Sequence, residues 1–217
     1  IDVSWQSNLD LRFKKLSFLS LVGTESSNNG AFGNFTLYLP INEQHQLRLS
    51  LLERYSDNQN SPVGVLDNTD LSNNELAVSY SYFGKSQRST LSYEQTKMDY
   101  GIPGSPEGHI DGVDIKMSKS SQKFNYHKDI SLLNFLTFDL DQRFINYNHS
   151  EFVKDAASPS VSMGQKIFSL QGKFTGKQLT VGSLFQYRDF KAGGFYWTPD
   201  TEEIRMSLFG LFQRNIK

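Results

Sequence analysis

The chain has 217 residues, no cysteine and a formal net charge of -1. These facts exclude a disulfide scaffold, thiolate metal sites and a bulk electrostatic case for nucleic acid. A mean hydropathy of -0.48, with no apolar run near the ~20 residues that a membrane helix needs, excludes helical spans. Strand spans escape that test, because only every second residue need be apolar.

Taken in chain order, apolar–polar alternation predicts about ten strands: 9–23, 31–40, 46–55, 75–83, 89–99, 113–126, 132–147, 166–174, 179–188 and 204–213. The first is blurred by Phe18-Leu19 and Leu21-Val22. In the others one set of apolar residues recurs with period two, as in Leu47, Leu49, Leu51; Leu76, Val78, Tyr80; Val113, Ile115, Met117; and Phe138, Leu140. Helical spacing nowhere beats spacing of two. The fold class is therefore all-β and antiparallel.

The connectors alternate in length. Asn42–His45, Gly84–Arg88, His127–Ser131 and Thr175–Gln178 are short, polar and turn-like. Between them fall Thr24–Gly30, Ser56–Asn74, Tyr100–Gly112, Asn148–Gln165 and Asp189–Glu203, which are mostly much longer. A soluble sandwich has no reason to obey that rule. A transmembrane β-barrel does, with short turns at one end and long loops at the other. In that reading the apolar face meets lipid, and Arg48, Ser79, Ser81, Ser92, Glu94, Lys116, Asp139, Asp141, Arg143, Gln171 and Lys173 line the lumen. Aromatics at 13 %, chiefly 17 Phe and 10 Tyr, suit girdles at two interfaces.

Several short motifs carry a family resemblance. Asp99-Tyr100-Gly101-Ile102-Pro103-Gly104 resembles the Tyr-Gly-Ile-Pro element of TonB-dependent outer-membrane receptors, nearest the branch with ZnuD-type zinc receptors. Val113, Ile115 and Met117 fit that branch's next strand, with Lys116 in place of an acidic residue. Phe144-Ile145-Asn146-Tyr147-Asn148-His149-Ser150-Glu151 is similar to its "Y-T-D-Y-x-H-x-E" strand end. Tyr187-Arg188-Asp189-Phe190-Lys191-Ala192-Gly193 resembles "R-D-F-x-A-x-G", and Thr198-Pro199-Asp200-Thr201 its Pro-x-Thr. The match runs from about 75 to 213 in order.

The resemblance implies a multi-pass barrel in a Gram-negative outer membrane, with outer-membrane lipid around it. It implies active uptake of a scarce nutrient (metal, metal chelate or siderophore, or haem), energised by TonB acting on a plug. Such a receptor has about 22 strands, so residues 1–217 are expected to be part of its barrel, without plug or closing strand. The absence of an initial Met, and of a terminal aromatic in Gln213-Arg214-Asn215-Ile216-Lys217, fits a fragment.

No nucleophile elbow, phosphate loop or zinc-protease helix is present, so no enzyme activity and no cofactor are expected. Candidate ligand residues are Glu107, His109 and Asp111, alternating in one loop and able to face one side as oxygen and nitrogen donors to Zn²⁺ or another transition metal. A solvated acidic loop with a stray histidine is the simpler reading of the same residues, and the ZnuD-like His-rich tract is missing. His149 and Glu151 form a ligand vestibule or a polar rim. Tyr147 and Trp197, with Phe195 and Tyr196, cradle a chelate or form an interface belt. Asp139, Asp141 and Arg143 read as a lumenal ion-pair ladder, and Arg188 with Asp189 as a rim pair. Three other readings stand beside the receptor: a self-contained ten-stranded protease barrel of the omptin kind, a passive porin, and a soluble carbohydrate-binding sandwich.

Overall fold

The computed structural model describes residues 15–25, 29–61, 64–66, 68–104, 112–130, 136–153, 156–194 and 199–213. Its strands are β1 (Ser17–Glu25), β2 (Gly30–Pro40), β3 (His45–Ser56), β4 (Asn60–Ser61), β5 (Gly64–Val65), β6 (Leu71–Phe83), β7 (Gln87–Ile102), β8 (Val113–Ile130), β9 (Leu136–Val153), β10 (Val161–Thr175), β11 (Leu179–Gly194) and β12 (Thr201–Phe212). Ten of them form one antiparallel sheet in chain order, β1-β2-β3-β6-β7-β8-β9-β10-β11-β12. β4 and β5 make a two-stranded hairpin inside the β3–β6 loop. The ten expected strands are all present. The first is described from Ser17, and residues 1–14 lie outside the described set.

The short connectors are tight because their residues satisfy the backbone locally. In the β2–β3 turn, Ile41 N–H donates to the His45 carbonyl at 2.8 Å. The Asn42 carboxamide oxygen accepts from Gln44 N–H at 2.8 Å and from His45 N–H at 3.0 Å. Such Asx bonding is what asparagine brings to a turn. Gly84 N–H to the Gln87 carbonyl (2.7 Å) and Gly176 N–H to the Leu179 carbonyl (2.8 Å) close two others. All the short turns lie at one end of the sheet and all the long loops at the other.

Register assigns the faces, because residues paired across an antiparallel ladder share a side. Arg48 pairs with Ser79, Ser79 with Ser92, Ser92 with Lys123, Lys123 with Arg143 and Arg143 with Ser169. That polar row is on the inner, concave face. One residue along, Leu49, Val78, Tyr93, Gln122, Phe144, Phe168, Tyr187 and Ile204 follow one another across the outer face. Only Gln122 interrupts it. Two rows beyond Leu49, Glu53 faces Asn74, which faces Lys97. In the row between, Phe35, Leu51 and Leu76 are still apolar, but from β7 onward Gln95, Ser120, Asn146, Lys166, Asp189 and Glu202 are all polar. The apolar band therefore ends one row lower on β7–β12 than on β2, β3 and β6.

Toward the turns the band is edged by aromatic rings. His45 stacks on Tyr80 with centroids 5.7 Å apart, and Phe138 meets Phe174 at 4.8 Å and Tyr126 at 6.4 Å. No second layer covers the band among the described residues. Phe18, Met206 and Leu208 are 72, 77 and 89 % exposed, whereas among the described residues the buried hydrophobic ones are only Ile115 and Val161. This is the reverse of a soluble fold, which must bury its apolar face against another layer. The sandwich reading is overturned: among the described residues the ten long strands form a single sheet. Its two-sidedness is that of an outer-membrane barrel wall, apolar outside and polar within.

One lumen assignment is corrected. Lys116 lies on the outer face, its Nζ 5.3 Å from the centre of the Phe152 ring, and Val113, Ile115 and Met117 face inward with Lys123 and His127. The reason is strand length. β8 and β9 have 18 residues each, roughly 60 Å at ~3.3 Å per residue, against an apolar band of about 25 Å. Beyond the band the outer face no longer has to be apolar, and apolar side chains there turn to the sheltered inner side. Among the described residues β1 and β12 each have one partner strand.

The faces predict opposite outcomes for neighbouring residues. Leu170→Arg places a charge on the outer band and is expected to destabilise folding into lipid vesicles by ~2–4 kcal/mol. Gln171→Arg, one residue along and facing the cleft, is expected to stay within about 1 kcal/mol, as an inner-face change meets water rather than lipid. Equal losses in urea-unfolding titrations contradict the face assignment.

Candidate functional site

The inner face curls around a cleft of about 670 Å³ lined from β2 to β10. Arg48, Ser79, Ser81, Ser92, Glu94, Asp139, Asp141, Gln171 and Lys173 all line it. Asp139 is the hub of its charges. It sits 2.6 Å from His127 Nδ1 and 3.4 Å from Lys173 Nζ. His127 Nε2 reaches Asp129 at 3.3 Å, and Lys123 approaches Asp141 at 4.0 Å. Of the three residues expected to form the ladder, Asp139 and Asp141 pair across strands with His127, Lys173 and Lys123. Arg143 shares the inner face and pairs in register with Lys123, but its Nε is buried without a hydrogen-bond partner. Arg188 and Asp189 do not pair: as successive strand residues they point to opposite faces, and Arg188 reaches Glu203 at 3.6 Å instead.

Above the ladder, at the loop end, the inner face changes character. Tyr147, His149 and Glu151 follow each other along β9 on that face. His149 is 9 % exposed, and its Nε2 lies 2.9 Å from Glu151 Oε1. The pair is joined, as the sequence suggests, and it is deeper than a solvated rim. Ile115 and Val161, both buried, pair with Glu151 from either side. Among the described residues no group of three or more His, Cys, Asp or Glu is placed to hold a metal ion. Glu107, His109 and Asp111, and likewise Trp197, Phe195 and Tyr196, lie outside the described residues.

The loop end is braced by Asn68, whose φ of 59° is the left-handed conformation that asparagine tolerates. Its Nδ2 donates to the carbonyls of Ile102 (2.9 Å) and Val113 (3.2 Å), tying the β3–β6 loop to β7 and β8. A Cβ on Gly101 or Gly112 would collide with Asn68. The glycine of the Tyr100-Gly101-Ile102 element is thus explained by a close approach.

Sequence reasoning missed His127, assigned to a turn, and Lys123. Neither stands out along the chain. Only register shows that His127 pairs with Asp139 and Lys123 with Arg143.

No family model matches the chain, nor does any curated protein. Among solved structures, CdiB from Acinetobacter baumannii is similar with a TM-score of 0.40 and 13 % identity, over 82 % of this chain and 31 % of that one. The chain thus spans less than a third of that structure's length.

The geometry ranks the carboxylates. Asp139→Asn weakens two close contacts and is expected to lower stability by about 1 kcal/mol, within the range of partly exposed ion pairs. Asp141→Asn, with one contact at 4.0 Å, is expected to change it by less than about 0.5 kcal/mol. Urea midpoints of the two variants at low salt check the order, and the difference is expected to shrink in ~1 M salt.

Proposed function

We propose that the chain is part of the barrel wall of a TonB-dependent receptor that takes up a scarce nutrient (metal, metal chelate or haem) across a Gram-negative outer membrane. The observation that carries the membrane location is the uncovered apolar band around a polar cleft. Short turns at one end and long loops at the other orient it, turns toward the periplasm. The receptor reading is supported by the motif series. Tyr100-Gly101-Ile102 ends β7, His149-Ser150-Glu151 lies near the outer end of β9, and Tyr187–Gly193 fills the outer half of β11. Three widely separated motifs thus converge on the loop end of the wall.

Polar groups that the sheet does not itself satisfy, Arg143 Nε, Asn125 Oδ1 and Asn73 Oδ1, suit a wall built against an interior plug. Open edges in hydrocarbon are untenable, since every backbone N–H and C=O there needs a partner. In the receptor reading, a barrel of about 22 strands supplies those partners to β1 and β12. The process is active transport rather than catalysis: ligand binds at the mouth, and TonB, driven by the inner-membrane proton-motive force, pulls on the plug.

Two measurements test this in cells. The chain has no cysteine, so a single introduced thiol is a clean probe. Ser158→Cys, in the β9–β10 loop, is expected to react with an impermeant maleimide on intact cells. Ser86→Cys, in the β6–β7 turn, is expected to react only after the outer membrane is opened, and the reverse pattern sinks the topology. Metal content of receptor-expressing cells at limiting supply is expected to fall to that of receptor-less cells when TonB is removed. Accumulation that survives loss of TonB points instead to a passive pore.

A further inference from the structure

One row of the inner face carries a set of soft donors. Met98 on β7 pairs with Met117 on β8, Met117 with His149 on β9, and His149 with Met163 on β10. All four therefore project to the same side. The chain contains four methionines, and the remaining one, Met206, sits on the outer band. Adjacent strands lie ~4.8 Å apart, so the backbones of Met117, His149 and Met163 fall within roughly 10 Å, with the histidine between the two thioethers. That spacing is within the reach of long, unbranched methionine side chains.

The histidine is prepared as a ligand. Glu151 Oε1, 2.9 Å from His149 Nε2, accepts a hydrogen bond and so places the ring proton on Nε2. Nδ1 is left with its lone pair. A metal-ligating histidine is commonly held in this way by a carboxylate on its other nitrogen. Ile115 and Val161, 4 and 5 % exposed, flank Glu151 in the next row outward, and the next row toward the turns carries Thr96, Lys119, Tyr147 and Gln165.

Donor chemistry selects the ion. Two or three neutral thioethers and one neutral imidazole supply no negative charge and no hard oxygen, so they suit neither Ca²⁺ nor Mg²⁺. Thioethers favour soft Cu(I), which needs no anionic ligand and accepts low coordination numbers. We propose that Met117, His149 and Met163 bind one Cu(I) ion at the mouth of the barrel, with Met98 as a further thioether at the end of the row and Glu151 as the positioning residue. That this ion is the cargo rests on the uptake reading; that it binds does not.

The alternative is that three methionines merely fill a small apolar patch, and leucine separates the two. Met→Leu roughly conserves volume and removes the sulfur. The purified protein in detergent micelles, kept anaerobic with reductant, is titrated against the chromogenic Cu(I) chelator bicinchoninate. The expected result is withdrawal of one equivalent of Cu(I), with sulfur neighbours in the X-ray absorption spectrum. Met117→Leu/Met163→Leu and the single Met163→Leu are each expected to weaken binding at least about tenfold, a loss seen even when only a supporting partner is removed. Met206→Leu is expected to leave binding unchanged, and the heat-modifiable gel mobility of each variant reports its folding. Failure of the parent to withdraw Cu(I), or undiminished binding by folded Met→Leu variants, overturns the site. TonB-dependent uptake of another nutrient without Cu(I) binding overturns the site and spares the receptor. Sulfur-ligated Cu(I) in a protein that shows no TonB-dependent copper accumulation overturns the cargo role and leaves the site standing.

Discussion

The backbone ladder is what everything else in this protein depends on. Each of the eight interior strands of the sheet exchanges hydrogen bonds with a neighbour on both sides, and in a hydrocarbon environment no water is available to replace a lost partner. An unsatisfied amide there costs several kcal/mol, far more than any ion pair on the inner face contributes. The ladder therefore holds register, and register in turn decides which side chains meet. A slip of one residue would send the Leu49 row inward and the Arg48 row into the apolar band. The side chains are thus arranged to punish every register but one.

Much of this was legible along the chain. The strand count and the inward direction of Arg48, Glu94, Asp139, Asp141, Arg143, His149 and Glu151 follow from period two, and the alternation of short and long connectors from the polar segments between the runs. What failed was the assumption that one rule holds over a strand's whole length. Val113, Ile115 and Met117 alternate with polar residues as cleanly as Leu47, Leu49 and Leu51 do, yet they face the other way. Alternation reports that two faces differ; it does not report which is outside. For β3 the surroundings of the apolar face are the band, and for the far end of β8 they are the interior of the mouth. Lys116 was misplaced for that reason alone.

The contacts that matter to the site were the least legible, since they join residues far apart in sequence. His127 and Asp139 are on different strands, and nothing local links Met98, Met117, His149 and Met163. The His149–Glu151 pair was legible because both members lie on one strand two residues apart, where period two already places them together. Arg188 and Asp189 show the converse: adjacency in sequence within a strand separates side chains rather than joining them.

The wall divides its two tasks between its two faces and along its height. Stability comes from the ladder and the outer band, which need only be apolar at the right depth. The inner face is relieved of packing duties, as its half-exposed charges show: Lys173 and Asp139 are 39 and 34 % exposed, and pairs of that kind are worth ~0–1 kcal/mol. Such pairs shape the electric field in the cleft more than they hold the sheet together. Thr36, Gln46 and Ser121 are buried lower on the inner face, but among the described residues it buries apolar side chains only near the loop end. There Ile115, Val161 and His149 are enclosed, and Asn68 clamps the overlying loop to β7 and β8. A barrel wall gains nothing in the membrane from burying a histidine above the band. Burial at that height shields the His149–Glu151 bond from water, and a shielded, oriented imidazole is a better ligand than a solvated one.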